Sequence, residues 1–174
     1  MIIRESQDSD VKAIAAIYVN SVLTDTASWE YEAPTLQDFS QRRRDILAKQ
    51  FPYLVACEDD KVIGYAYASS YRARMGYRFL VEDSVYVHPD FQGRGIGKKL
   101  LGALIAECEA RGYRQMIAVI GDSENIGSIK CHERSGFVIA GHFKSVGYKF
   151  GRWLDSVQML RALGEGSASA PSGR

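Results

Sequence analysis

Residues 79–101 read FLVEDSVYVHPDFQGRGIGKKLL and bring two kinds of chemistry into one short stretch. Glu82 stands in the middle of an otherwise apolar, strand-like run. Alternation along a strand sets Leu80, Glu82, Ser84 and Tyr86 on one face and Phe79, Val81, Asp83, Val85 and Val87 on the other. A carboxylate there costs free energy unless it is paired or wet. It therefore either pairs with Arg72, Arg74 or Arg78, or serves as a base, directly or through water. A few residues on, Gly93, Gly95 and Gly97 alternate with Arg94 and Ile96, and Lys98 and Lys99 follow. Glycines let successive backbone N–H groups converge on an anion, and a helix N-terminus adds partial positive charge. Neither nucleotide fingerprint fits. G-x-G-x-x-G has a different third spacing, and G-x-x-x-x-G-K-[ST] lacks its first glycine and its hydroxyl. The loop reads as a phosphate cradle of another kind, the plainer alternative being a tight strand-to-helix turn.

The elements that position these residues follow from periodicity. MIIRES is a short strand, and Val11, Ile14, Tyr18 and Val22 recur at helical spacing from about Ser9 to Leu23. A second helix is expected from about Thr35 to Lys49, with Pro34 before it. YLVACEDDKVIGYAYASSY reads as two strands about a turn at Glu58–Lys61, and FLVEDSVYV as a third, ended by Pro89. Ile96, Leu100, Leu104 and Cys108 mark an amphipathic helix that Gly112 stops. QMIAVI is a buried strand, NIGSIKCHERSG a short helix stopped by Gly136, and FVIAGHFKSVGYKF and WLDSVQMLRAL are two strands joined by an irregular link. The order β-α-α-β-β-β-α-β-α-β-β predicts a mixed sheet with helices on both faces, an α/β fold of α+β type. One domain spans residues 1–163, and residues 164–174, GEGSASAPSGR, have the composition of a flexible tail.

Composition bounds the function. Lys+Arg 22 against Asp+Glu 21 leaves a net charge of +1, which argues against nucleic acid or an anionic membrane as partner. The one tight basic run, Arg42–Arg44, reads as a solvated helix face. Cys57, Cys108 and Cys131 show no C-x-x-C spacing, and His88, His132 and His142 are too scattered for a metal site. No apolar run approaches a membrane span, and no signal peptide is evident, so a cytoplasmic protein with reduced thiols is expected.

Gln92-Gly93-Arg94-Gly95-Ile96-Gly97 has the form Q-x-x-G-x-G, which resembles the coenzyme A pyrophosphate loop of the GNAT superfamily of acyl-CoA N-acyltransferases. NIGSIKCHERSGF resembles that family's N-x-x-[AS]-x-x-x-[YH]-x-x-x-GF element, through Asn125, Ser128, His132, Gly136 and Phe137. The resemblance covers about residues 1–163. It implies a central sheet of about seven strands with a splayed parallel pair, about four helices, and acetyl-CoA as co-substrate without a metal. It places pantetheine along the backbone of Val85, Tyr86 and Val87, like an added strand. It places the pyrophosphate at the N–H groups of Gly93, Arg94, Gly95, Ile96, Gly97 and Lys98, with a hydrogen bond at Asn125. His132 stands where many relatives carry a tyrosine thought to protonate the CoA thiolate, and histidine has a suitable pKa for that task, for acting on the amine, or for merely anchoring its helix.

YRARMGYRFLVEDSVYV, AVIGDSENIGSIKCHERSGF and VGYKFGRWLD narrow the resemblance to the phosphinothricin and methionine sulfoximine/sulfone acetyltransferase branch. That branch implies direct transfer of acetyl to the α-amino group of a small amino acid, with Glu82 as general base. It also implies a substrate-binding set of Arg72, Arg74 and Tyr77, a guanidinium fork being suited to a carboxylate or phosphinate. Trp29 and Tyr31 could wall the pocket or simply pack. Arg72 and Arg74, spaced by two, are expected on one face. VGYKFGRWLD is similar to a segment that reaches toward a partner's active site, so a homodimer is expected. Two alternatives stand beside this reading: acetylation of a protein N-terminus or other amine, and a non-catalytic acyl-CoA-binding sensor.

Overall fold

Seven strands build one mixed sheet in the computed structural model, which describes residues 1–171. They are β1 (Ile2–Glu5), β2 (Tyr53–Glu58), β3 (Lys61–Ser70), β4 (Leu80–Val87), β5 (Gln115–Gly121), β6 (Val138–Lys149) and β7 (Arg152–Ala162), in the spatial order β1-β2-β3-β4-β5-β7-β6. Four α-helices accompany them among the described residues: α1 (Val11–Thr24), α2 (Leu36–Ala48), α3 (Ile96–Ala110) and α4 (Ile126–Glu133). The element order is the one the periodicities predict. β4 and β5 run parallel, while the other neighbours are antiparallel.

Both faces of the sheet are covered, which explains the nearly continuous apolar runs of β2 and β5. On β2, Leu54 and Ala56 join the core beneath α3, while Tyr53, Val55 and Cys57 face α1 and α2. The apolar stripe of α3 is buried along its length, from Ile96 through Leu100, Leu101, Leu104 and Ile105 to Cys108. Each fully buried leucine there contributes roughly 1.5–3 kcal/mol of transfer free energy. α2 starts at a reciprocal cap: Thr35 Oγ1 accepts from Asp38 N–H at 3.1 Å, and Asp38 Oδ2 accepts from Thr35 N–H at 3.2 Å.

Pairing between β4 and β5 runs from Leu80↔Gln115 to Asp83↔Ala118 and stops there. β4 continues to Val87 and β5 to Gly121, so the two strands part. The β5-facing edge of residues 84–87 is left without a strand partner among the described residues. This is the splay that positions the site.

Three expectations change. Arg43 is not on a solvated face: it is only 4% exposed, and its guanidinium donates to Ser6 Oγ, Ser6 O and Asp8 Oδ1 at 2.9, 2.6 and 2.6 Å. Its neighbours on α2 do reach outward, because one helical step of 100° separates successive side chains. The link between β6 and β7 is not irregular. Phe150 and Gly151, with φ 52° and 74°, make a two-residue turn whose twist suits a hairpin. The irregularity lies inside β6, where the register shifts between Phe143 and Gly147 and Ser145 has φ 54°. Finally, residues 71–74 are not a strand, so their period-2 spacing sets no common face. Within the segment expected as a tail, Arg114 donates to Gly166 O at 2.9 Å and to Ser169 O at 3.0 Å. Residues 172–174 of that segment lie outside the described residues.

Candidate active site

A cleft of about 360 Å³ opens where β4 and β5 part. β4 contributes Glu82 to Tyr86, β5 contributes Ala118 to Gly121, and α4 with its cap contributes Asn125, Ser128 and His132. The loop after α1 closes one side with Ala27, Ser28, Trp29 and Glu30.

Glu82 is half-buried in this cleft, opposite Ser69 on β3. It forms no ion pair with Arg72, Arg74 or Arg78. Burial, reinforced by the charge of Asp83, pushes its carboxyl up to about 7. A carboxyl group that changes protonation near neutrality can take a proton from an ammonium and release it again, which is what a general base requires.

Asp83 points the other way and meets His132. The Asp83 side chain is 2% exposed and that of His132 6%, with His132 Nε2 3.0 Å from Asp83 Oδ2. His132 Nδ1 lies 2.8 Å from Ser128 O. A carbonyl oxygen only accepts, so Nδ1 carries a hydrogen, and one further proton lies between Nε2 and the carboxylate. Burial works to lower the pKa of His132, but the hydrogen bond and charge of Asp83 and the Ser128 carbonyl outweigh it and raise it. Asp83 Oδ1 is buried with no hydrogen-bond partner among the described residues.

At the far end of β4, Gly93 and Gly95 take φ 75° and 76°, a region open to glycine at no steric cost. Gly95 caps α3, and the first N–H to close onto the helix is that of Lys99, to Gly95 O at 3.2 Å. The N–H groups of Ile96, Gly97 and Lys98 are left at the helix mouth, where an anion is favoured. Arg94 lies against the ring of Phe91 and pairs with Glu58 at 3.0 Å, so its charge is already engaged beside the loop. Asn125 spends its Oδ1 on the N–H of Ser128, capping α4 at 3.2 Å, which leaves its amide hydrogens for another acceptor.

The acetyltransferase (GNAT) family matches residues 12–137. The chain belongs to this family. It is 49% identical over 169 residues to a phosphinothricin N-acetyltransferase of Alcaligenes faecalis, covering 97% of this chain and 86% of that one. It is 40% identical over 171 residues to an L-methionine sulfoximine/L-methionine sulfone acetyltransferase of Salmonella typhimurium, covering 97% and 98%. The crystal structure of a GNAT superfamily phosphinothricin acetyltransferase from Sinorhizobium meliloti in complex with AcCoA superposes with a TM-score of 0.96 at 45% identity. That comparison covers 98% of this chain and 92% of that one.

The sequence-derived residues divide into three places. Glu82, His132, Val85, Tyr86, Asn125 and Trp29 line the cleft together. Val87, Gly93, Arg94, Gly95, Ile96, Gly97 and Lys98 continue the β4 edge into the turn and the mouth of α3. Arg72, Arg74 and Tyr77 stand apart and exposed, outside the cleft of their own chain, with the Arg72 guanidinium over the rings of Tyr71 and Tyr77. Tyr31 is exposed too, and its hydroxyl donates to Tyr148 O. Asp83, Tyr18, Ser28 and Tyr67 also line the cleft, outside the sequence-derived set. Asp83 carried a signal: a carboxylate on the core face of β4 needs a partner as much as Glu82 does.

Proposed function

We propose that this GNAT enzyme transfers acetyl from acetyl-CoA directly to the α-amino group of a small amino acid whose side chain carries a phosphinyl, sulfoximine or sulfone group. The observation that carries the reading is Glu82. It is an unpaired carboxyl near neutrality, a few residues upstream of an open strand edge that leads into a helix-mouth anion cradle. The names of the similar enzymes support the acceptor class.

The residues present fit acetyl-CoA. The open backbone edge of Val85, Tyr86 and Val87 offers alternating donors and acceptors to an extended amide chain. Gly93, Arg94, Gly95, Ile96, Gly97 and Lys98 offer N–H groups to a pyrophosphate, and the amide hydrogens of Asn125 are available to a carbonyl. Acetyl-CoA supplies the activated thioester. Glu82 takes the proton that the ammonium must lose before its nitrogen can attack. As the C–N bond forms and the C–S bond breaks, the proton held by His132 and Asp83 neutralises the departing sulfur. Tyr18, Tyr67 and Tyr86 suit that task less, because burial raises the pKa of each.

Trp29 walls the acceptor side; Arg72, Arg74 and Tyr77, which the resemblance assigns to the acceptor's carboxylate or tetrahedral oxygens, stand outside the cleft of their own chain. Neither arginine has a carboxylate partner among the described residues, so both are available for an anion. A homodimer in the cytoplasm belongs to this reading. Strand β6 is a sheet edge, and with β7 it exposes Val138, Ile139, Phe143, Val146 and Trp153, the last 64% exposed. Such an edge invites a partner. The test of function is a panel of free amino acids, their sulfone, sulfoximine and phosphinate analogues, and N-terminal peptides, each offered with acetyl-CoA. Acetylation of the analogues over the peptides supports the proposal, and the reverse preference contradicts it. Light scattering checks the dimer.

A further inference from the structure

Lys149 ends β6 as a buried cation that is 2% exposed and has no carboxylate in ion-pair range among the described residues. A charge in that position is tolerated only if its donors are satisfied. Its Nζ donates to Asp25 O at 2.9 Å and Ser28 O at 2.6 Å, and lies 4.8 Å from the centre of the Phe150 ring. An ammonium has three hydrogens, and here two carbonyls and a ring face meet them.

Both carbonyls belong to the loop that follows α1. Residues 25–31 have no helix or strand of their own, yet Ser28, Trp29 and Glu30 line the cleft. The two residues before Lys149 also hold this loop. Tyr148 O accepts from the hydroxyl of Tyr31, and Gly147 lies so close to Trp29 that an added Cβ would sit 2.6 Å from its Cζ3. Three consecutive residues of β6 thus meet the loop at Trp29, at Tyr31, and at Asp25 with Ser28. The start of the loop has other ties: Ser21 Oγ donates to Asp25 Oδ1 at 2.7 Å and Thr26 Oγ1 to Asp122 Oδ2 at 3.3 Å. On its outer side Arg42 pairs with Glu30 at 2.6 Å. The inward-facing backbone of Ser28 is held by Lys149.

We infer that Lys149 is a positioning residue, which straps the 25–31 loop to the end of β6 and so sets the acceptor wall of the cleft. The inference rests on the reading of that cleft as the acceptor pocket. Lys149 touches no reacting atom, and its influence passes through Ser28 and Trp29. Lys149 bonds the loop and not the β4 edge or the mouth of α3, so its loss acts first on the acceptor wall.

Lys149→Met keeps the length and apolar stem and removes the donors. Tyr31→Phe removes a tether at an exposed position where folding is not at stake. Two quantities are read in each: hydrogen–deuterium exchange of residues 25–31 in the substrate-free protein, and steady-state KM for each substrate. In Lys149→Met, exchange in the loop is expected to speed up and the acceptor KM to rise about tenfold or more, with the acetyl-CoA KM within about twofold. Tyr31→Phe is expected to shift both in the same direction by less, and it decides alone should Lys149→Met fail to fold. Unchanged loop exchange in both variants overturns the strap. A lowered melting temperature with an unchanged acceptor KM overturns the positioning role. The exchange arm needs no acceptor, so it supports or overturns the strap even where no amino acid is acetylated and the functional reading has failed.

Discussion

Glu82 and Asp83 are adjacent on β4, face opposite sides of the sheet, and are treated oppositely by the fold. Asp83 is closed off by His132 at 3.0 Å, whereas Glu82 opens into the cleft with no ion-pair partner. The strand's two-residue period makes the difference. One position turns a carboxylate under α4, and the other turns its neighbour into the cleft.

The first consequence is a pH profile. With the Glu82 carboxyl pushed up to about 7, kcat/KM should rise as pH increases through about 7, because only the carboxylate can accept a proton. Glu82→Gln should lower kcat by roughly 10²–10⁴-fold and leave little of that limb. Stability runs the other way. The folded state holds this proton more tightly than the unfolded chain, so the stabilisation is present below the ordinary carboxyl value and is lost as pH rises through about 7. Denaturation of wild type and Glu82→Gln at pH 5 and pH 8 measures it, and the variant should lose less stability between the two.

The buried pair gives the second. His132 has a raised pKa in the fold, so its contribution is full below the ordinary histidine value and falls as pH climbs through the raised one. Removing one partner, as in His132→Gln or Asp83→Asn, should destabilise by about 3–5 kcal/mol, because it leaves the other buried and unmatched. The double variant should cost less than the sum of the singles. Chemical denaturation of the four proteins in a cycle reads this coupling directly.

Gly147→Ala should act on the acceptor. The added methyl would lie 2.6 Å from Trp29 Cζ3, so the indole must move within the wall of the cleft. The acceptor KM is expected to change several-fold while acetyl-CoA binding holds. Parallel titrations of the two substrates show it.

Gly95→Ala should act on the other side. Alanine at φ 76° costs about 1 kcal/mol or more of backbone strain, and relief of that strain reshapes the mouth of α3. A raised Kd for acetyl-CoA, with the acceptor KM little altered, is the expected result in calorimetry.

Much of this site was legible in the sequence because its signals are local. A carboxylate in the apolar run of β4 is enough to mark Glu82, as it could have marked Asp83, and three glycines before an apolar helix are enough to mark the cradle. What was missed depends on partners far along the chain. Arg43 looked like part of a basic face, since nothing near it reveals that Ser6 and Asp8 receive it. Lys149 meets carbonyls more than a hundred residues away, at Asp25 and Ser28, and backbone acceptors leave no mark on side-chain chemistry. Phe150 reads as a strand residue, and only the pairing of Lys149 with Arg152 fixes it in a turn. Arg72 and Arg74 show the reverse error, because spacing implies a shared face only where the backbone is extended.

Acetyl transfer to a small amino acid with Glu82 as base is read out by release of the CoA thiol. Methionine sulfoximine, methionine sulfone and phosphinothricin are each added to the enzyme with acetyl-CoA, and to Glu82→Gln in parallel. Stoichiometric thiol release and N-acetylated product are expected with the wild type, slowed about a hundredfold or more in the variant. No release with any of the three, or equal rates from the two proteins, would contradict it.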